Sequence, residues 1–177
     1  MTRFLGYLCF CTFIFSCAKD DVEPAPSFES HFEESAEVED FSHMMTDFEE
    51  KTLELINEFR AEGNSCGNDL MDPAEPLMWH PNLDDAAEAH ADDMFDNDIL
   101  SHEGSNGSDL DERLKEADYI ASHWGENVAK GPRTPAECVE AFKNSPGHCK
   151  VMSSPNFKQV GIAKIGEYWV FDFGTEL

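Results

Sequence analysis

The sequence predicts an α+β domain, with helices packed on an antiparallel sheet, and three observations carry that prediction. Residues 48–61 and 82–97 repeat apolar side chains at helical spacing. A further short helix, starting after Thr134, can be read from its own end signals. The last strands alternate around a tight turn as a β-hairpin. Helices first and a hairpin last fit an α+β fold better than an alternating β-α one.

The first helix is predicted over 48–61, with Thr46 or Asp47 as its cap. Leu53, Ile56 and Phe59, together with Leu55, give it an apolar face. Asn57 and Arg60 lie on its flank, as buried polar anchors or as exposed salt-bridging groups. A loop containing Gly63, Cys66, Gly67 and Pro73 follows, and Leu77-Met78-Trp79 is a short apolar insertion into the core. The second helix runs from an Asn82 cap to about Asn97. Ala86, His90 and Met94 form one row, and Leu83, Ala87 and Ala91 widen it. His90 therefore reads as a hydrogen-bonded core histidine. Asp84, Asp85, Glu88, Asp92 and Asp93 mark the solvent face.

Residues 103–108 are turn chemistry. A short helix over 110–117 carries Arg113 and Leu114, and Asn127-Val128-Ala129 is a short extended step after Glu126. Thr134, Pro135 and Glu137 spell the start of the next helix as a capping box with proline in the first turn. That helix should stop before Pro146, because the residue before a proline is driven out of the α region. Ser145-Pro146-Gly147 then turns the chain and delivers His148. Strands follow over 159–164 and 168–173. Gly166-Glu167 suits a two-residue II′ turn between them, and Trp169, Phe171 and Phe173 share one face.

Three regions are expected: a signal peptide over 1–17, an acidic tether over 18–47 and a folded domain over 48–177. Arg3 precedes an apolar run from Phe4 to Ser16, the length of a signal-peptide core and too short to span a bilayer. Ile14-Phe15-Ser16-Cys17 resembles a bacterial lipobox, which would make Cys17 a lipidated first residue; an ordinary cut after Ala18 also fits. The tether is rich in Asp, Glu, Ser and Pro and has too little apolar surface to offset the entropy of ordering it.

A formal net charge of −25 over 177 residues repels nucleic acid and anionic membranes. Membrane association is therefore expected only through an N-terminal lipid. No phosphate-binding glycine motif is present. Of six cysteines, Cys9 and Cys11 leave with the leader and Cys17 is lipidated or also removed. Export places Cys66, Cys138 and Cys149 in an oxidising setting. Cys138 falls inside the capped helix as a small buried hydrophobe, so Cys66 and Cys149, both read as loop residues, are paired.

With these elements in order, the chain resembles the CAP superfamily, the SCP or cysteine-rich secretory, antigen 5 and pathogenesis-related 1 domain, in its bacterial lipoprotein-like form. The resemblance rests on Asn57-x-x-Arg60, Leu77-x-Trp79, the Ala86-to-Ala91 helix and Ser101-His102-x-Gly104. It continues through Arg113, Gly125-Glu126-Asn127, Ser145-Pro146-Gly147-His148-Cys149, Val160-Gly161-Ile162 and Tyr168-Trp169. It implies a three-layer α-β-α sandwich and a cleft of two histidines and two acids. His102, Glu126 and His148 fall on three of those positions, and Ser145 stands about where the second acid is expected.

The resemblance also implies an exported or envelope-anchored ligand-binding module. Its partner would be a lipid or sterol-like molecule, a protein or a cell-envelope component. His102, His148 and Glu126 are the expected ligands of a divalent ion, with Zn²⁺ matching imidazole and carboxylate donors. A hydrolase using the same cleft, or a cleft that is purely structural, are the alternatives.

Overall fold

The computed structural model describes residues 44–177. The leader, Cys17 and the acidic tract through residue 43 lie outside the described residues. The helices are α1 (Asp47–Glu62), α2 (Pro81–Asn97), α3 (Leu110–Glu116), α4 (Pro135–Lys143) and α5 (Pro146–Ser153). The strands are β1 (Asn64–Cys66), β2 (Asp69–Met71), β3 (Met78–Trp79), β4 (Ala121–Lys130), β5 (Gln159–Ile165) and β6 (Tyr168–Glu176). No helix among the described residues is long and apolar enough to cross a membrane.

The main sheet has the strand order β3-β5-β6-β4. The three long strands are antiparallel, as expected. The exception is β3, whose two residues pair parallel with β5 through Met78 N–H to the Lys158 carbonyl and His80 N–H to the Val160 carbonyl. β1 and β2 form a separate hairpin. Gly166 at φ +58 is the only positive-φ residue in the β5–β6 turn, as a II′ turn requires.

Strand alternation divides the interior into the three predicted layers. Trp169, Phe171, Phe173, Val160 and Ile162 face Ile56 and Phe59 of α1, Val139 and Phe142 of α4 and Met152 of α5. On the opposite face Val128, Ala163, Tyr168 and Val170 meet Ala87, Ala91 and Met94 of α2. The alanines let α2 lie close to the sheet. A side chain at Gly161 would place its Cβ 2.1 Å from the Leu83 carbonyl carbon, so only glycine fits.

Arg60 is a buried anchor and Asn57 a half-buried one. Arg60 donates to the carbonyls of Glu75, Met152, Ser154 and Phe157, tying α1 to the chain on either side of the core. Asn57 exchanges two hydrogen bonds with the backbone of Leu77.

Four local expectations change. The cap of α2 is His80 rather than Asn82. Pro81 has no N–H to satisfy and takes the first turn, and His80 Nδ1 accepts from Asn82 N–H. Asp84 leaves the solvent face: its Oδ1 accepts from Trp79 Nε1–H at 3.0 Å and from Ile162 N–H at 2.8 Å, and burial pushes its pKa up to about 6. The extended step at 127–129 is part of a ten-residue strand. Pro146 does end α4, but it also opens α5, so His148 and Cys149 are helical and not in a loop.

Cys66 and Cys149 are disulfide-bonded, with Cα atoms 5.4 Å apart. The pairing is as expected, although β1 and α5 hold the two cysteines rather than loops. Cys138 is free and buried.

Candidate functional site

The site is built on β4, which forms one edge of the sheet. Because side chains alternate along a strand, Glu126 and Val128 point to the α2 layer, and Asn127 points to the layer of α4 and α5.

Glu126 is almost completely buried, with a side chain 3% exposed. Its Oε1 accepts from His102 Nδ1–H at 2.6 Å, and its Oε2 accepts from Arg113 Nη2–H at 2.6 Å. Arg113 comes from α3 and is itself buried. Its Nη1 also donates to the carbonyls of His102 and Ser108, so one guanidinium holds both the acid and the loop that carries His102. Loss of Arg113 would strand a buried carboxylate. The His102 side chain is 61% exposed. Its hydrogen bond to Glu126 raises its pKa above the usual histidine value, and burial opposes the rise.

His90 lies in the same network as a core residue, as predicted. Its Nε2–H donates to the Ser101 carbonyl at 2.9 Å and stands 3.7 Å from Glu126 Oε2. Burial lowers its pKa, which keeps the ring neutral.

Directly opposite Glu126 in the β4–β6 ladder is Asp172. It is fully buried, and neither of its oxygens has a hydrogen-bond partner. Burial first, and then the charge of Glu126, raise its pKa well above the carboxylate range. Asp172 therefore holds its proton more readily than an ordinary carboxyl, and the Arg113 guanidinium lies against Glu126.

His148 approaches from the other face. Its carbonyl accepts from Asn127 Nδ2–H at 3.1 Å, and its ring stands edge-on to Phe142, with centroids 4.8 Å apart. Burial lowers its pKa first, and the charge of His102 lowers it further. Ser145 caps the backbone start of α5 without a side-chain bond. The Ser101 hydroxyl accepts from Glu103 N–H, and among the described residues no hydrogen bond joins the hydroxyl of Ser101 or Ser145 to an imidazole.

Thus the structure brings His102 and Glu126 into contact and sets His148 across the strand, within electrostatic reach of His102. Ser145 stays outside this network. Among the described residues, no three His, Cys, Asp or Glu side chains are grouped to hold a metal ion. Glu126 already uses both oxygens. Beside the pair lies an open cleft of about 480 Å³ lined by His102, Glu126, Trp124, Asp109 and Asp111, among others.

Two members of the network escaped the sequence reading as site residues. Asp172 had a readable signal, a single acid in an otherwise apolar strand (Trp169-Val170-Phe171-Asp172-Phe173). Arg113 had a weaker one, since it precedes the core residue Leu114 on a short helix.

The sequence profile of the CAP family, described as "Cysteine-rich secretory protein family", matches residues 53–173. The uncharacterized protein YkwD of Bacillus subtilis (strain 168) is 32% identical over 128 residues, 71% of this chain and 46% of YkwD. The chain therefore spans less than half the length of that relative. An extracellular protein containing an SCP domain from Bacillus anthracis aligns with a TM-score of 0.64 at 24% identity, over 72% of this chain and 40% of its own. An outer surface protein of Borrelia burgdorferi aligns with a TM-score of 0.58 at 18% identity, over 72% of this chain and 89% of its own. The two structural likenesses establish the shared fold. Matched by the profile from within α1 to within β6, the chain belongs to the CAP, or cysteine-rich secretory protein, family.

Proposed function

We propose that this protein is exported and works as a ligand-binding module, with the cleft beside His102 and Glu126 as its site. The observation that carries this reading is the Arg113–Glu126–His102 chain. A buried guanidinium fixes a buried carboxylate, which fixes an exposed imidazole by Nδ1 and leaves Nε2 free to face a ligand. The carboxylates of Asp109 and Asp111 in the lining favour a protein or cell-envelope component over a lipid or sterol. The leader sequence and the Cys66–Cys149 disulfide favour an extracytoplasmic, oxidising location, with Cys17 as the anchor residue if the chain is lipidated.

A divalent ion is the second part of the proposal, in modified form. His102 and His148 would hold it, and Glu126 would orient His102 instead of ligating, because both its oxygens are taken. Zn²⁺ suits two imidazoles with water completing an open shell, and when bound it would give a ligand oxygen a Lewis-acid contact. Binding should weaken in acid, since the raised pKa of His102 makes a proton compete for its lone pair.

Calorimetric titration of Zn²⁺ into the full chain tests this. Saturable heat at neutral pH should vanish in His102→Ala and in His148→Ala. The absence of saturable binding up to millimolar zinc, or binding unchanged in both variants, would remove the ion from the proposal.

A further inference from the structure

We infer that the ligand of this cleft is an extended, positively charged peptide that binds as an added strand on the free edge of β4. The inference rests on the proposed binding role of the cleft and specifies what the cleft recognises.

The backbone directions follow from the ladders. His80 N–H donates to the Val160 carbonyl, and Ile162 N–H donates to Asp84, so Val160 and Ile162 turn their backbone groups away from β6. The alternating partners Gly161 and Ala163 therefore bond β6, opposite Asp172 and Val170. It follows that Phe171 and Phe173 of β6 aim at β4, where they pair with Asn127 and Gly125. Gly131 N–H bonds the Glu167 carbonyl in the same phase. Trp124 and Glu126 are thus left with their N–H and carbonyl groups pointing out of the sheet. Among the described residues, nothing hydrogen-bonds to those four groups.

An open edge of this kind is a template for strand addition, and folded proteins usually block it. The opposite edge of this sheet is blocked: β3 covers Gln159 and Val160, and Asp84 occupies the Ile162 N–H. On β4 the protection is confined to the ends, a register shift between Ala121 and His123 and the charged Lys130. Between them, the unprotected Trp124–Glu126 stretch lines the cleft.

Charge selects the occupant. Asp109 and Asp111 line the cleft, Asp111 beside Lys115, and the chain carries −25, so a basic strand is attracted and a second copy of this chain is repelled. Trp124, 45% exposed, offers a flat apolar surface and a cation–π face to alternate side chains of that strand.

The test uses the full chain and a fluorescein-labelled peptide of alternating Lys and Val, seven residues long, read by fluorescence anisotropy. Two further peptides carry N-methyl groups on alternate residues, one in each phase, and a fourth replaces every Lys with Glu. The parent peptide should bind. N-methylation in one phase should weaken binding roughly tenfold or more, whereas the other phase leaves it near the parent value, because only one phase faces β4. The Glu peptide should not bind. Hydrogen exchange should show new protection at the Trp124 and Glu126 amides, and the Gly125 amide, already bonded to β6, should not change.

Equal loss in both methylated phases, equal binding of the Glu peptide, or binding without protection at Trp124 and Glu126 would overturn strand addition. Concentration-dependent dimers that protect those amides without peptide would also overturn it, in favour of self-pairing. The zinc titration reads the imidazoles independently. Zinc binding that survives while the peptide arms fail refutes this inference alone, and failure of both removes the cleft as a binding site.

Discussion

Replacing both bridging cysteines, Cys66→Ala with Cys149→Ala, should destabilise the domain strongly. The bridge closes a loop of 83 residues. The chain-entropy relation gives such a loop about 4.6 kcal/mol at 25 °C, acting on the unfolded state. For a domain of about 130 residues, 1 kcal/mol shifts Tm by roughly 3–4 °C, so a fall of about 15 °C is expected. Both sulfurs are buried, and their loss also leaves small voids, which deepens the fall. Far-UV circular dichroism melts of both proteins, with and without reductant, measure it. Reductant should bring the wild type most of the way down to the variant and leave the variant unmoved. A wild type that loses less than about 3 °C in reductant would show that the unfolded chain is not constrained as argued. The bridge also fixes the residue next to His148, so the variant should show a broadened His148 ring signal by NMR even well below its melting point.

Three further outcomes follow from the polar network. Glu126→Gln should lower the pKa of His102 towards the ordinary histidine value, read by ¹H–¹³C NMR titration; an unchanged titration would mean that the 2.6 Å contact does not govern the ring. In the wild type, the stability contributed by that contact is fully present below the unfolded histidine pKa of about 6.5 and is lost as pH rises through the higher folded value. Arg113→Met should cost about 3–5 kcal/mol in urea unfolding because it leaves Glu126 buried without a cation, and a cost below about 1 kcal/mol would contradict the buried pairing. Asp172→Asn should flatten the pH dependence: a buried acid with a raised pKa holds its proton in the fold, so wild-type stability declines as pH rises above about 4, by up to about 1.4 kcal/mol per pH unit. Parallel stability curves for wild type and variant between about pH 4 and 8 would rule that out.

Much of the architecture was legible because it depends on short-range pattern. The alternation of Trp169, Phe171 and Phe173 gave the faces of β6, and the Ala86-His90-Met94 row gave the buried side of α2, with His90 inside. Pro146 was read in only one of its two senses. The steric rule that stops a helix before proline and the preference of proline for a first turn act at the same residue, so α4 ends and α5 begins there. The contacts that define the site were least legible. Glu126 meets Arg113 and Asp172 because α3 packs on β4 and because β6 is its ladder partner, and no local spacing encodes either. Asp84 misled for a related reason. Its helical phase suggested solvent, yet it sits at the first turn of α2 and reaches over the end of β3 to an unpaired strand amide.

His102 and His148 belong to different layers, one joined to β4 through Glu126 and the other through Asn127. Adjacent residues of one strand point to opposite sides, so β4 is held from both faces of the sheet at neighbouring positions. A rotation of the strand about its own axis would break one attachment or the other, and the carboxylate that orients His102 is kept in register without any contact of its own to the α4 and α5 layer.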